Sequence, residues 1–172
     1  MTGFDLLRSA YRNTIGKVAP LDRHMKDLVR TAVLPPLEWA RRFHTLPSDP
    51  VSFRLSMLFG QHERSTRVWV KRLVTEGAVV CDVGAHVGYH TVTMARRAGP
   101  SGRVFAFERN PATARLLLRN TRRFSNVEVV NAAVADFEGT ALLTAGGGDS
   151  STFHVVAAAG GSRSSRGSGE PK

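Results

Sequence analysis

The segment Val79-Val80-Cys81-Asp82-Val83-Gly84-Ala85-His86-Val87-Gly88-Tyr89-His90 constrains this chain more than any other. A short apolar run enters a turn carrying two glycines, and a helical pattern leaves it. Ala78–Val83 has the length and composition of a strand buried on both faces, which makes Cys81 a core residue. Gly84 lets the backbone bend sharply at the strand end without a Cβ clash. Gly88 lets the following helix begin close to a ligand, and the free N–H groups of that helix start face the same crevice. Ligands of open α/β sheets lie there, beyond the carboxyl ends of the strands.

The pattern then repeats. Tyr89–Arg97 reads as a helix ending near Gly99 and Pro100, and Arg103–Phe107 as a second strand ending in Glu108. Pro111 suits the first turn of a helix running to about Arg123, with Leu117, Leu118 and Thr121 on one side. Val127–Val134 is a third strand. Strands alternating with helices across short turns predict an α/β fold with a parallel sheet. Ala141–Thr144 is one more short strand, and residues 157–172, rich in Gly, Ser and Arg, form a disordered tail. The chain divides into an N-terminal helical extension over 1–59, a partial domain over 60–156 and that tail.

Within the extension, Leu21, Met25, Leu28, Val29 and Ala32 recur at helical spacing. Pro20 starts this helix, and Pro35 and Pro36 stop it. Val68, Trp69, Leu73 and Val74 predict another helix, ended by Gly77. Trp39 and Trp69 are expected to be packing residues.

With 24 Lys+Arg against 14 Asp+Glu, the formal net charge is +10, which invites a nucleic-acid or anionic-membrane reading. The distribution argues against it: the basic residues, mostly Arg, are spread along the chain without a block of like charge. Arg115, Arg119, Arg122 and Arg123 make a basic helix face, read as solvated surface. No nucleic-acid partner is expected. The single cysteine rules out an internal disulfide and fits a reducing cytoplasm. Met1–Ala10 lacks the apolar core of a secretory signal, and no run is long enough for a membrane span, so a cytoplasmic location is expected. His86 and His90 stand four apart, but no third ligand is near in sequence, and no metal is expected.

Glu108 is the second anchor of the site. A carboxylate at the end of the second strand can accept hydrogen bonds from both hydroxyls of a ribose. A dinucleotide pattern requires a glycine two residues after Gly84, so that backbone can cradle a pyrophosphate. Here that position is His86, and the acid Asp82 just before the turn would repel a diphosphate. An acid there suits a cationic ligand. S-adenosylmethionine carries an amino group and a sulfonium and has no phosphate, so Asp82 and His86 both favour it.

The region from Gly60 to about Val155 resembles the first half of the FkbM family of S-adenosylmethionine-dependent methyltransferases. The matching residues are Asp82 to Tyr89, then Gly102 to Pro111, Leu117, Asn120, and Asn126 to Val134. His86 and Arg109 depart from that pattern, standing where Asn and Pro are usual. The resemblance implies a class I methyltransferase with a Rossmann-like parallel sheet that O-methylates a small molecule or a glycan. It implies cofactor roles for Gly84, Ala85, His86, Gly88, Tyr89 and Glu108 beside Asp82. Glu63 resembles a family glutamate just upstream of the domain. Many class I methyltransferases hold the adenine amine with an Asp near the end of the third strand. That place falls near Ala133, so backbone groups would have to serve. The family's acceptor-side carboxylates lie on later strands, which leaves the catalytic base unassigned.

A complete sheet of this class has seven strands, with the first near the middle. The expectation is therefore a chain whose C-terminal half is missing and whose first strand exposes an apolar edge. A truncated or frame-shifted copy of this kind binds cofactor weakly and catalyses little. The readings in view are the methyltransferase, a non-catalytic relic that at most binds its cofactor, and a dinucleotide-binding module.

Overall fold

The computed structural model describes residues 19–136, 141–145 and 153–157. The expected signal-free N-terminus and the expected tail beyond Ala157 lie outside them. Helix α1 (Ala19–Leu28) continues through a wide π turn over Val29–Val33 into α2 (Leu34–Arg41). Helices α3 (Val51–Leu58) and α4 (Arg64–Leu73) follow. The alternating part comprises β1 (Val79–Val83), α5 (Tyr89–Ala98), β2 (Arg103–Phe107), α6 (Pro111–Thr121) and β3 (Val127–Val130). Strands β4 (Ala141–Ala145) and β5 (Phe153–Ala157) pair antiparallel with each other.

The three strands β1, β2 and β3 form a parallel sheet in that order, with Val79 opposite Arg103 and Val104 opposite Val127. Local chemistry explains the helix boundaries. Asn110 caps α6 by accepting a hydrogen bond from the Ala112 N–H at 2.9 Å, and Pro111 occupies the first turn, where its missing N–H costs nothing. At the end of α5 the Asn126 amide donates to the Ala95 and Gly99 carbonyls, satisfying groups that the helix leaves open.

Several expectations are corrected. Pro35 and Pro36 do not stop the chain's helical course. The π turn ends in a bond from the Leu34 N–H to the Val29 carbonyl, and both prolines fall in the first turn of α2. Helix α4 ends at Leu73, before Gly77, because Val74 turns extended and enters the core. Leu118 faces outward while Leu117 and Thr121 are buried, since one residue turns the side chain about 100° round the helix. Trp39 and Trp69 are 80% and 57% exposed, so neither is a core residue. The third strand stops at Val130, where the Asn131 side chain turns to the Glu108 and Arg109 carbonyls.

Strand β1 is not buried on both faces. It pairs with β2 alone among the described residues, and Val79 and Val83 are 72% and 60% exposed. Cys81 is exposed with them rather than in the core. Among the described residues β1 therefore presents an apolar edge.

The core crosses from the N-terminal helices into the sheet domain. Leu34, Phe43, Met57 and Leu58 pack in one cluster with Val87 of the glycine turn and Val92 of α5. A second cluster joins Val74, Ala95, Ala98 and Val104, and a third joins Ala85, Ala106 and Leu117. The turn after β1 is thus packed from two sides, by α6 and by the helices that precede the sheet.

Candidate cofactor site

The turn between β1 and α5 is held by backbone hydrogen bonds, to the end of β2 and within itself. The Gly84 and Ala85 N–H groups both donate to the Phe107 carbonyl at 2.9 Å, and the Gly88 N–H closes onto the Ala85 carbonyl at 2.8 Å. Gly84, His86 and Gly88 all have positive φ, of 77°, 51° and 89°. His86, the residue that breaks the dinucleotide pattern, is therefore the strained member of the turn.

The two glycines serve different ends. A Cβ on Gly84 would meet nothing within 4 Å, so its side of the turn is open space. A Cβ on Gly88 would stand 2.7 Å from Leu117 Cδ1, so this glycine lets α6 pack against the start of α5. Close packing, beyond approach to a ligand, is what the structure asks of Gly88.

Glu108 extends the end of β2 and is 6% exposed. Its Oε2 accepts the His86 N–H at 2.9 Å, and its Oε1 accepts the Asn110 N–H at 2.8 Å. Two amides thus fix the carboxylate beside the turn, and each oxygen keeps a further lone pair. Asp82, on β1, accepts the Thr91 hydroxyl at 2.6 Å. Burial raises the Asp82 carboxyl above its ordinary range, with the Glu108 charge adding to the rise; Thr91 and His90 oppose it. Asp82, Glu108 and the turn therefore face one another.

Tyr89 opens α5 in a ring cluster. Its centroid lies 5.3 Å from His62, 5.1 Å from His90 and 6.3 Å from Phe43, all edge to face. The His86 ring lies 6.2 Å from Phe53. Glu63, at φ 42°, precedes α4, and its Oε2 lies 2.8 Å from His90 Nε2. His90 is thus tied to Glu63. Ala133 is exposed in the loop after β3, apart from these contacts. Among the described residues no group of three His, Cys, Asp or Glu side chains is placed to hold a metal ion.

Sequence reasoning missed the pairing of Glu63 with His90 and the task of Asn120. The signal for Asn120 was available: a polar residue on the apolar stripe of α6, one turn from Leu117 and beside Thr121. For Glu63 and His90 there was none, because the two lie far apart in the chain.

The geometry fits the nucleoside end of S-adenosylmethionine. A paired, oriented carboxylate has open acceptor sites for two hydroxyls, and the space beside Gly84 is free of side chains. It does not fit a pyrophosphate cradle, because the Gly84, Ala85, His86 and Gly88 amides are all committed within the protein.

Comparison with known proteins agrees. The family model described as the TRM5/TYW2 methyltransferase domain matches residues 53–145, more than half of the chain. A protein-L-isoaspartate O-methyltransferase from Methanothrix thermoacetophila is 40% identical over 57 residues, covering 32% of this chain and 27% of that protein. One from Methanococcoides burtonii is 38% identical over 60 residues, covering 34% and 30%. The chain therefore spans less than a third of the length of these curated relatives. A solved protein-L-isoaspartate O-methyltransferase structure aligns with a TM-score of 0.42 at 20% identity, covering 60% of this chain and 42% of that one.

Proposed function

We propose that this chain, which belongs to the TRM5/TYW2 methyltransferase domain family, uses S-adenosylmethionine to methylate a hydroxyl of a small molecule or sugar. The FkbM-like pattern from Asp82 to Tyr89 and from Gly102 to Pro111 supports this acceptor class. The single observation that carries the cofactor site is the buried Glu108 carboxylate, bonded to the His86 amide at 2.9 Å.

In this reading Glu108 receives the ribose hydroxyls and Gly84 leaves room for the ribose beside the turn. Burial raises the Asp82 carboxyl above its ordinary range, and the approach of the cofactor's cationic end favours its ionised form. Tyr89 and Glu63, both in contact with His90, are assigned to the cofactor's other end, and backbone groups near Ala133 to the adenine. When bound, S-adenosylmethionine supplies a methyl group already activated on sulfur. The task left to these residues is to hold it in line with an acceptor oxygen. The lone Cys81 supports a cytoplasmic setting, and no helix among the described residues is long and apolar enough to cross a membrane.

Calorimetry tests the site. S-adenosylhomocysteine should bind this chain and NAD should not; the reverse result overturns the assignment. Single-turnover transfer from labelled S-adenosylmethionine tests the acceptor class, with a panel of sugars and polyketides beside an isoaspartyl peptide and an RNA transcript. Label on a sugar or polyketide hydroxyl is expected, and label only on peptide or RNA overturns the hydroxyl reading. Binding without transfer to any acceptor would identify the non-catalytic relic.

A further inference from the structure

We infer that Asn120 is a positioning residue for the cofactor turn, clamping it to the segment that precedes the sheet domain. The inference rests on the cofactor reading above. Asn120 lies on α6, is 1% exposed, and uses its whole side-chain amide. Its Oδ1 accepts the His44 N–H at 2.8 Å. Its Nδ2 donates to the His44 carbonyl at 2.8 Å and to the Val87 carbonyl at 2.8 Å. The orientation is forced, because an amide N–H can only donate and two carbonyls can only accept.

The partners come from two remote parts of the chain. Val87 is the fully buried residue of the turn, between His86, whose N–H meets Glu108, and Gly88. His44 lies in the connection between α2 and α3. That connection is itself fixed. The Thr45 N–H and hydroxyl both donate to Glu38 Oε1, the Arg54 Nε donates to Thr45 Oγ1 at 2.7 Å, and the Arg54 Nη2 meets Glu38 Oε1 at 3.0 Å. Glu38, Thr45 and Arg54 are all buried. A polar network therefore holds the segment around His44, His44 holds Asn120, and Asn120 holds the Val87 carbonyl of the turn.

The turn needs such a hold. It carries three positive-φ residues within five, Gly84, His86 and Gly88, of which His86 has no glycine freedom to relieve it. Strained backbone persists only where its surroundings over-determine it. On the sheet side Phe107 and Glu108 do so; on the other side the Asn120 bond to Val87 is the polar contact described. Without that bond the Val87 carbonyl is left buried and unpaired, and the peptide between Val87 and Gly88 keeps its hold through the Gly88 N–H on the Ala85 carbonyl. A shift of Val87 to satisfy its carbonyl elsewhere is passed to its chain neighbour His86, whose N–H orients the Glu108 carboxylate. Asn120 touches no ligand; it acts through Val87 and His86.

The test uses the full 172-residue chain and S-adenosylhomocysteine as the probe. Asn120→Asp keeps an acceptor for the His44 N–H and removes both donated bonds. Val104→Ala, in the fully buried middle of β2, serves as a control that lowers stability away from the turn. Both are titrated well below their melting temperatures, with backbone hydrogen exchange followed over residues 85–88. Asn120→Asp should weaken binding by about tenfold or more and speed exchange in the turn. Val104→Ala should lose melting temperature while binding like the parent chain and keeping the turn protected. Equal affinity and equal exchange in Asn120→Asp and the parent would overturn the clamp. If Asn120→Asp does not fold, Asn120→Ser is read in the same two measurements. Failure of the parent chain itself to bind S-adenosylhomocysteine would instead overturn the cofactor reading, and the exchange measurement would still decide the clamp.

Discussion

The His86 N–H donates to Glu108 Oε2 at 2.9 Å, so the turn after β1 and the acidic tip of β2 form one unit. The bond joins the most strained non-glycine residue of the turn to a carboxylate that also accepts the Asn110 N–H at the start of α6. Glu108 therefore has a structural task before any ligand arrives.

That double task predicts the behaviour of Glu108→Gln. A glutamine can offer its one oxygen to only one of the two amides, and its NH2 must then face the other donor. Stability should fall by about 1–3 kcal/mol, and S-adenosylhomocysteine affinity by about tenfold. Thermal melts and calorimetry measure both. A stable variant with unchanged affinity would remove Glu108 from the ribose site.

The two glycines should respond differently to alanine. Gly84→Ala meets open space, so its stability cost is the positive-φ penalty alone, about 1–2 kcal/mol. Its methyl group fills the space read as the ligand's, so binding should suffer more than folding. Gly88→Ala adds a clash with Leu117 to the same backbone penalty and should cost more stability. Combining it with Leu117→Ala should destabilise by less than the sum of the two single changes. Strict additivity in denaturant titrations would show that the clash is relieved some other way.

Asp82 carries a pH signature. Burial first, and then the Glu108 charge, raise its folded-state pKa above the ordinary value of 3.8. The native chain holds that proton more tightly than the unfolded one. The resulting stability is fully present below pH 3.8 and is lost as pH rises through the folded-state value. At neutral pH the ionised group is a burden, so Asp82→Asn should melt higher than the parent in the absence of ligand. Affinity for S-adenosylhomocysteine should increase as pH rises through the same window, and the asparagine variant should lose that increase and bind at least about threefold more weakly at pH 7. A parent affinity that stays flat with pH would exclude a cationic ligand group at Asp82.

His44 has the opposite dependence. Burial and then the Arg119 charge, with a smaller effect of Arg122, lower its pKa below 6.5, against the opposing pull of Glu38. A histidine depressed in the folded state contributes stability that is present above pH 6.5 and lost as pH falls through the folded-state value. Mild acid should therefore loosen the connection at residues 42–46 and lower the melting temperature. His44→Gln should flatten that fall by about half or more, followed by melts between pH 7 and pH 5. An unchanged acid limb in the variant would place the titration elsewhere.

The sheet strands and the turn were readable because their signals are local. An apolar run, a glycine at a bend and a proline after Asn110 act on their own neighbours in the chain, and Asp82, Gly84 and Glu108 stand at strand ends that such rules locate. Burial was not readable in the same way. Ala78–Val83 has the composition of an interior strand, yet among the described residues β1 is an edge of the sheet, because exposure depends on which strands lie beside it. Trp39 and Trp69 show the same thing on the helices.

By itself, then, the sequence determined the alternation of strands and helices from Val79 to Val130, the position of the bend and the kind of ligand its acids and missing glycine favour. All of these follow from backbone freedom and charge within a few residues. Only the tertiary structure decided that the preceding helices share their core with Val87, that Glu63 meets His90, and that one buried asparagine ties His44 to the turn. Those contacts join residues dozens of positions apart, and no local periodicity or propensity carries the information about which distant groups will meet.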